Sequence, residues 1–243
     1  MNEGFEKFVK KIFNLLGFEI TRRWNTPVGD VEFFLRDVKR RGLKCQYILD
    51  VGAYKGKFSR LAKSSYPESV IYMVEPLSEM RNYLEEFCRK YPESKYFDFA
   101  VGPVNGTREL RVFKDLAWSG FMEEDIPVRD KRTSRIVEMR TIDSMIQTRQ
   151  MELPDLVKLD VQGYELEVLK GAERLFGKTE LFIIEAALHN KHKSYPLIAE
   201  VVAYMNERDY LVYDFAGFLR QHHDGSLIEC DLCFVKRNSF LRK

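Results

Sequence analysis

The stretch from Tyr47 to Gly56 places an acid and two glycines directly after an apolar run, and it constrains the fold strongly. The apolar residues predict a buried strand, and the residues after Gly56 have the pattern of a helix. Asp50 falls at the carboxyl end of that strand, and Gly52 and Gly56 allow backbone to come close to a ligand. The spacing differs from the G-x-G-x-x-G fingerprint, which argues against a dinucleotide such as NAD.

Beyond residue 45, predicted strands and helices alternate, which indicates a parallel sheet joined by right-handed crossovers. Apolar runs predict the strands, and amphipathic segments of helical spacing predict the helices. We therefore expect an α/β fold. The predicted core strands lie at 46–51, 69–74, 95–101, 155–160 and 180–185, and the predicted helices lie at 57–65, 78–90, 165–176 and 196–208.

Two regions depart from this alternation. Residues 107–113 and 136–140 predict two strands around a polar segment, 114–134, whose poor periodicity is typical of a functional loop or of disorder. Residues 210–215 and 228–235 predict an antiparallel pair that closes the sheet.

The N-terminal residues precede the first core strand and contain two predicted helices, at 5–16 and 31–38. These helices either cap the sheet or form a lid over the substrate site, and the sequence leaves both alternatives open. We expect a helical extension over 1–44 and one α/β domain over 45–243.

Composition limits the possible partners and locations. Lys and Arg number 39 against 37 Asp and Glu, and this balance lacks the basic excess of nucleic-acid-binding proteins. No run of 18 apolar residues predicts a membrane span, and no signal peptide is apparent. Four cysteines are too few for a disulfide framework. The sequence therefore predicts a cytoplasmic protein without a nucleic-acid partner and leaves its oligomeric state open.

Acids stand at or near the carboxyl ends of four predicted core strands: Asp50, Glu75, Asp160 and Glu185. In open α/β sheets the ligand crevice lies at these ends. One such acid could cap a helix, but four at corresponding positions indicate a ligand. The D-x-G-x-x-x-G spacing resembles the first motif of S-adenosylmethionine-dependent methyltransferases, which implies S-adenosylmethionine as the cofactor.

With that cofactor, the predicted residues have distinct physical tasks. Glu75 can accept hydrogen bonds from both ribose hydroxyls, and Asp50 can receive the ammonium group directly or through water. The turn glycines let the backbone approach the methionine part, and Asp98 or the backbone of Ala100 can meet the adenine. The predicted cofactor-binding set is Asp50, Gly52, Ala53, Tyr54, Gly56, Glu75, Pro76, Asp98 and Ala100.

Several further motifs follow in order along the chain, and together they cover roughly residues 45 to 236. They are Asp50 to Gly56, Val74 to Pro76, Ala100 to Gly102, Arg140 to Asp143, the K-x-D-x-x-G-x-E segment from Lys158 to Glu165, the V-L-x-G-A segment from Val168 to Ala172, and Ile183 to Glu185. This pattern resembles the FkbM family of methyltransferases.

The resemblance implies a class I, Rossmann-like methyltransferase fold. Such a fold has a seven-stranded, mostly parallel sheet flanked by helices, with an antiparallel C-terminal strand. The resemblance also implies S-adenosylmethionine as donor and, typically, O-methylation of a hydroxyl on a sugar, glycan or natural product. The family usually has D-V-E-G where this chain has Gln162 before Gly163. The missing carboxylate weakens any catalytic or metal-binding role there, although an amide still hydrogen-bonds a hydroxyl.

An alcohol acceptor requires a general base, and Asp160 is the predicted one because its strand should face the methyl group. An ordinary Asp has a pKa of about 3.9, so we expect Asp160 to orient the hydroxyl and accept its proton late. His189 and His192 are alternative bases in a polar stretch that is also typical of a solvated loop. The predicted catalytic set is Asp160, Gln162 and His189, and no metal-ligand motif is recognised.

The acceptor itself is not identified by the sequence. Trp118 is either a stacking platform for a sugar or a loop anchor, and Ser119 and Glu185 complete the predicted substrate-binding set. Two alternatives stay open. One is an N- or protein methyltransferase, although the Asp/Asn-Pro-Pro-Tyr signature is absent. The other is a scaffold or sensor that binds S-adenosylmethionine without turnover, which the substitution at Gln162 keeps open.

Overall fold

The computed structural model describes residues 9, 11–13, 15, 28–121, 131–189, 195–221 and 224–243. The predicted helix at 5–16 falls largely outside these residues, as do His192 and most of the predicted loop after Phe121. None of the helices in the described ranges is long and apolar enough to cross a membrane.

The described residues form two sheets, and the larger one contains seven strands. The strands in chain order are β1 (Tyr47–Val51), β2 (Val70–Val74), β3 (Lys95–Phe97), β4 (Ala100–Val101), β5 (Gly106–Phe113), β6 (Lys131–Arg140), β7 (Leu156–Leu159), β8 (Leu181–Ala187), β9 (Tyr210–Arg220) and β10 (Leu227–Lys236).

The large sheet has the spatial order β3-β2-β1-β7-β8-β10-β9. All pairs from β3 to β8 are parallel, whereas β10 runs antiparallel to both β8 and β9. The predicted architecture, a mostly parallel seven-stranded sheet with an antiparallel C-terminal strand, is therefore confirmed. The order reverses between β1 and β7, where a crevice opens at the carboxyl ends of parallel strands.

The small sheet, with the order β4-β6-β5, corrects one predicted strand. The sequence predicts a single strand over 95–101, but β3 ends at Phe97 and pairs with β2. The chain then leaves the large sheet, and Ala100 pairs with Met139 of β6 instead. The strand divides because its two halves find different partners, and the second partner comes from the segment that interrupts the alternation.

The helices pack around the large sheet. They are α1 (Val31–Arg40), α2 (Lys57–Ser65), α3 (Arg81–Lys90), α4 (Ile142–Gln147), α5 (Glu165–Lys170) and α6 (Ile198–Asn206), with short 3-10 turns at Ser78–Met80, Leu116–Trp118, Glu173–Leu175 and Phe240–Arg242. The Asp30 side chain caps α1 by accepting from the N–H groups of Glu32 and Phe33.

Helix α5 is shorter than the predicted helix over 165–176, because the chain turns at Gly171. A Cβ atom at Gly171 would lie 2.2 Å from the carbonyl oxygen of Gly102. Backbone therefore packs directly on backbone at this point, and only glycine fits. This contact joins the end of α5 to the segment that follows β4.

We predict that Gly171→Ala destabilises the protein by about 1–3 kcal/mol, because overpacking against rigid backbone forces a shift of the chain. Urea unfolding monitored by circular dichroism measures the change. The matched control is Lys170→Ala at the neighbouring exposed position, which should change the free energy of unfolding by less than about 0.5 kcal/mol. Equal effects of the two substitutions would contradict the packing argument.

Candidate active site

A cavity of about 270 Å³ opens where the carboxyl ends of β1, β2, β7 and β8 meet. Its opposite wall is the small sheet together with the 3-10 turn at Leu116–Trp118. Among the predicted site residues, those that line it are Gly52, Tyr54, Glu75, Pro76, Ala100, Trp118, Ser119, Asp160, Gln162 and Glu185.

The glycine turn after β1 is held against both neighbouring strands. Gly52 has φ +76 and donates its N–H to the carbonyl of Val74 at 3.0 Å. A Cβ atom at Gly52 would lie 1.8 Å from the carbonyl oxygen of Asp160. Glycine is therefore required twice at this position, for its conformation and for the close approach of β7.

Glu75 lies beside that turn and is 5% exposed. Its carboxylate accepts from the N–H of Tyr54 at 2.8 Å and from the N–H of Leu77 at 2.9 Å. Burial raises the pKa of Glu75 to about 7, although these two hydrogen bonds favour the charged form. Each carboxylate oxygen has one backbone donor and retains a lone pair for a hydroxyl in the cavity.

Asp50 has a different position from the one the sequence predicts. It is only 1% exposed, does not line the cavity, and accepts a hydrogen bond from the Ser59 hydroxyl at 2.6 Å. Burial raises the pKa of Asp50 to about 6, while the Lys158 ammonium opposes that shift. The carboxyl group therefore joins β1 to α2 behind the turn. Ala53 and Gly56 also lie in this turn without lining the cavity.

Asp98, predicted to meet the adenine, points away from the cavity. Its half-exposed carboxylate forms an ion pair with Arg81 at 2.5 Å. It occupies the bend between the two halves of the divided strand, so the alternation of strand faces did not apply to it. Ala100, at the start of β4, does line the cavity.

Four polar side chains form a connected cluster on the β7 and β8 side of the cavity: Lys158, Asp160, Gln162 and Glu185. The Lys158 ammonium donates to Asp160 at 2.7 Å. The Gln162 amide nitrogen donates to Asp160 at 3.2 Å and to Glu185 at 3.3 Å. The amide therefore bridges two carboxyl groups that would otherwise repel each other.

The pKa values of the two carboxyl groups of this cluster are shifted in opposite directions. Burial alone would raise the pKa of Asp160, but the adjacent Lys158 ammonium outweighs burial and lowers it below the ordinary value. Burial and the negative charge of Asp160 raise the pKa of Glu185 well above its ordinary value. The Lys158 ammonium therefore favours the ionised form of Asp160, whereas burial beside the negative charge of Asp160 favours the protonated form of Glu185.

Tyr195 orients the bridging amide, and sequence reasoning missed it. Its hydroxyl donates to the amide oxygen of Gln162 at 2.9 Å, so the amide nitrogen faces the carboxyl groups. Lys158 was also given no predicted role, although the K-x-D spacing contained the signal. Nothing near Tyr195 in the sequence indicates a contact 33 residues away.

The opposite wall holds the predicted acceptor contacts. Trp118 is half-buried and lines the cavity, whereas the Ser119 hydroxyl also accepts from the N–H of Phe113 at 3.2 Å. Phe121 packs on Tyr164 with ring centroids 5.1 Å apart and anchors this segment to α5. An aromatic ring and a hydroxyl thus face the acidic cluster across the cavity.

His189, the alternative base, is exposed beyond the end of β8 and does not line the cavity. The other alternative, His192, lies outside the described residues. In the part of the chain that the structure describes, no group of three or more His, Cys, Asp or Glu side chains could hold a metal ion.

The strand order, together with a cavity at its reversal point, defines a class I methyltransferase fold. A family model described as the methyltransferase FkbM domain matches residues 50–212, which is more than half of the chain. The chain belongs to the FkbM methyltransferase family. A sequence search against curated proteins found no significant match.

Solved structures of methyltransferases resemble the chain. A methyltransferase FkbM from Methylobacillus flagellatus KT is 18% identical with a TM-score of 0.49, over 77% of this chain and 43% of that one. The chain thus spans less than half of that protein. Precorrin-6y C5,15-methyltransferase from Geobacter metallireducens GS-15 is 12% identical, with a TM-score of 0.46, over 90% and 93%. The Burkholderia thailandensis 1,6-didemethyltoxoflavin-N1-methyltransferase is 9% identical, with a TM-score of 0.48, over 86% and 79%.

The turn that carries Asp160 depends on a buried acid in the first turn of α5. Glu165 accepts from the N–H groups of Val161 at 2.9 Å and Gly163 at 3.3 Å. Burial raises the pKa of Glu165 to about 7. A folded-state pKa above the unfolded value stabilises the protein at low pH, and that stability is lost as pH rises through about 7.

We predict that the stability of Glu165→Gln relative to the parent protein increases by about 1–3 kcal/mol when the pH is raised from 5 to 7.5. The parent acquires a buried charge over this range, whereas the variant does not. Urea unfolding at the two pH values measures the difference. The control is Glu86→Gln on the exposed face of α3, which should shift stability equally at both. A constant difference between Glu165→Gln and the parent would contradict the raised pKa.

Proposed function

We propose that the protein transfers a methyl group from S-adenosylmethionine to a hydroxyl of a sugar, glycan or other small-molecule natural product. The observation that carries the proposal is that one cavity joins two half-sites. The Gly52 turn and Glu75 form one half, and the Asp160 cluster forms the other. A methyl donor in the first half would place its reactive carbon beside an ionised carboxylate in the second.

The first half fits the cofactor by its donor set and its shape. Glu75 has two free lone pairs for ribose hydroxyls, and the open backbone of Gly52 allows close approach of the methionine part. Tyr54, Pro76 and Ala100 supply further walls. Asp50 acts from behind the turn, where its buried carboxyl group favours a cationic ligand through space.

The second half fits the acceptor and its proton. When bound, S-adenosylmethionine supplies a methyl group that its sulfonium makes strongly electrophilic. The acceptor hydroxyl would donate its hydrogen bond to Asp160, so that its oxygen could take up the methyl group while the sulfur kept the electron pair of the carbon–sulfur bond. The hydroxyl proton passes to Asp160 late, because Lys158 keeps this carboxylate weakly basic.

Positioning of the acceptor hydroxyl then lowers the reaction barrier more than proton transfer does. Aligning a nucleophile with its target accounts for as much as about 7–11 kcal/mol of barrier reduction in favourable cases. Here the Gln162 amide, which donates to both Asp160 and Glu185, fixes the direction of the Asp160 carboxylate, and Trp118 offers a flat apolar surface opposite them. We infer that these groups hold the acceptor hydroxyl in line with the methyl carbon.

Two further predictions from the sequence concern location and partners. These are a cytoplasmic site of action and the absence of a nucleic-acid partner. A scaffold or sensor would bind the cofactor but transfer no methyl group. The following two predictions measure cofactor binding and methyl transfer separately, and so distinguish this alternative from an enzyme.

We predict that Glu75→Gln weakens S-adenosylhomocysteine binding by about 10- to 100-fold, because one charge-assisted hydrogen bond to the ribose is lost. Isothermal titration calorimetry measures the dissociation constant. Asp98→Asn is the matched control outside the cavity and should leave it unchanged. If Asp98→Asn weakened binding and Glu75→Gln did not, the proposed cofactor half would be wrong.

We predict that Asp160→Asn lowers turnover by about 10²–10⁴-fold, because it removes the proton acceptor and its orienting charge. Transfer of a radiolabelled methyl group to a panel of sugars, glycans and hydroxylated natural products measures the rate. S-adenosylhomocysteine binding should stay within about threefold of the parent, since the cofactor half is intact. Full turnover by Asp160→Asn would exclude it as the base.

A further inference from the structure

A second cavity, of about 490 Å³, adjoins the first and shares part of its wall. Three residues line both cavities: Glu185, Leu219 and Glu229. The other walls of the second cavity are the start of α1, the start of α2 and the strands β9 and β10. The two cavities therefore meet beside the Asp160 cluster, of which Glu185 is a member.

The volumes of the two cavities indicate how a cofactor and an acceptor would divide between them. Pockets that enclose one ligand of drug size measure about 300–1,000 Å³. The first cavity, at about 270 Å³, lies just below this range, whereas the second lies within it. A cofactor in the first cavity therefore leaves little room there for the acceptor beyond its reacting part. The rest of the acceptor requires the adjoining space.

Strand β9 has an irregularity that turns it toward the second cavity. At Ala216, β9 has one residue more than the facing part of β10, which makes a β-bulge. Ala216 and the three residues after it all line the cavity: Gly217, Phe218 and Leu219. A regular strand would present only alternate residues to one side. Bulges redirect side chains in this way and are frequent beside active sites.

Two glycines bring the walls of the second cavity close together. A Cβ atom at Gly217 would lie 2.1 Å from the Asp231 carboxylate, and one at Gly29 would lie 2.2 Å from the Phe218 ring. The N–H of Gly29 donates to the carbonyl of Phe215 at 3.0 Å. The segment that leads into α1 is thus bound to β9 and forms one wall of the cavity.

The lining combines apolar surface with carboxyl oxygens, and this combination suits a sugar ring. Phe218 and Leu219 are each 42% exposed and lie next to each other. The carboxyl groups of Glu185, Glu229 and Asp231 line the same cavity. A carboxyl group has several lone-pair sites, so it accepts from a hydroxyl in addition to its contacts within the protein. A sugar ring presents C–H groups on its faces and hydroxyls around its edge, and so meets both kinds of surface.

We propose that the methyl acceptor is a glycoside of at least two sugar rings, a disaccharide or a longer glycan. One ring places its reacting hydroxyl at Asp160, and the neighbouring ring lies in the second cavity against Phe218 and Leu219. Glu185 lies between the two rings, in the wall that the cavities share. The inference rests on the proposed function, because it names the acceptor of the same site.

The test compares matched monosaccharides and disaccharides for binding to the S-adenosylhomocysteine complex by isothermal titration calorimetry. The pairs are methyl glycosides of glucose with cellobiose, glucose with maltose, galactose with galactobiose and mannose with mannobiose. We expect the disaccharide of at least one pair to bind at least about tenfold more tightly than its monosaccharide. A smaller gain in every pair, or no binding of any of these sugars, would overturn the proposal.

Two variants then locate the second ring. Phe218→Ala removes the aromatic surface, and Val31→Trp fills the second cavity from the start of α1. Each should reduce the advantage of the disaccharide by about tenfold. The matched control is Phe33→Ala, because Phe33 is 46% exposed on α1 and lines neither cavity. The control should keep the full advantage.

Circular dichroism establishes which of these variants fold. Retention of the disaccharide advantage in either folded cavity variant would overturn the proposal, as would its loss in Phe33→Ala. The two cavity variants alter different walls, α1 and β9, so the test stands if one of them fails to fold.

The same measurements separate this inference from the proposed function. Loss of S-adenosylhomocysteine binding in the parent protein would refute the methyltransferase site as a whole. Intact cofactor binding without a gain for any disaccharide would refute only the site for the second ring.

Discussion

The contact between the main chain of Gly52 and the carbonyl oxygen of Asp160 determines the geometry of the whole site. The two strands β1 and β7 approach so closely there that a single added carbon would lie 1.8 Å from that oxygen. The N–H of Asp160 in turn donates to the carbonyl of Val51 at 3.1 Å. As a consequence, the glycine turn and the Asp160 carboxylate open into one cavity instead of two separate ones.

A second constraint is the charge of Lys158, a buried ammonium group surrounded by acids. Burial would lower the pKa of Lys158, but Asp160, Asp231 and Asp50 raise it more. Lys158 thereby lowers the pKa of Asp160, and the negative charge of Asp160 helps to raise the pKa of Glu185. This arrangement of charges thus separates the pKa values of two neighbouring carboxyl groups.

Features that depend on neighbouring residues were predictable from the sequence. Apolar runs and helical spacing predict the parallel sheet, because parallel strands alternate with helices along the chain. Glu75 follows a buried strand directly, so its place at the crevice needed no knowledge of distant contacts. The same holds for Asp160, whose strand ends beside the Gly52 turn.

Features that depend on distant partners were not predictable. The strand predicted over 95–101 divides because β6 pairs with its second half. Asp98 consequently faces Arg81 at the surface. In the sequence, Gln162 is only the position at which the carboxylate usual in the family is missing. In the structure, the Tyr195 hydroxyl binds the amide oxygen of Gln162, so the amide nitrogen donates to Asp160 and Glu185. The space that the Asp231 side chain occupies depends on Gly217 of another strand, which no local pattern reveals.

The central claim is that one cavity holds the cofactor against Glu75 with its sulfur directed at Asp160. A crystal structure with S-adenosylhomocysteine tests it most directly. The account predicts ribose hydroxyls at about 2.5–3.0 Å from the Glu75 carboxylate and the sulfur open toward Asp160 and Glu185. A ribose held by other residues, or a sulfur directed away from Asp160, would contradict it.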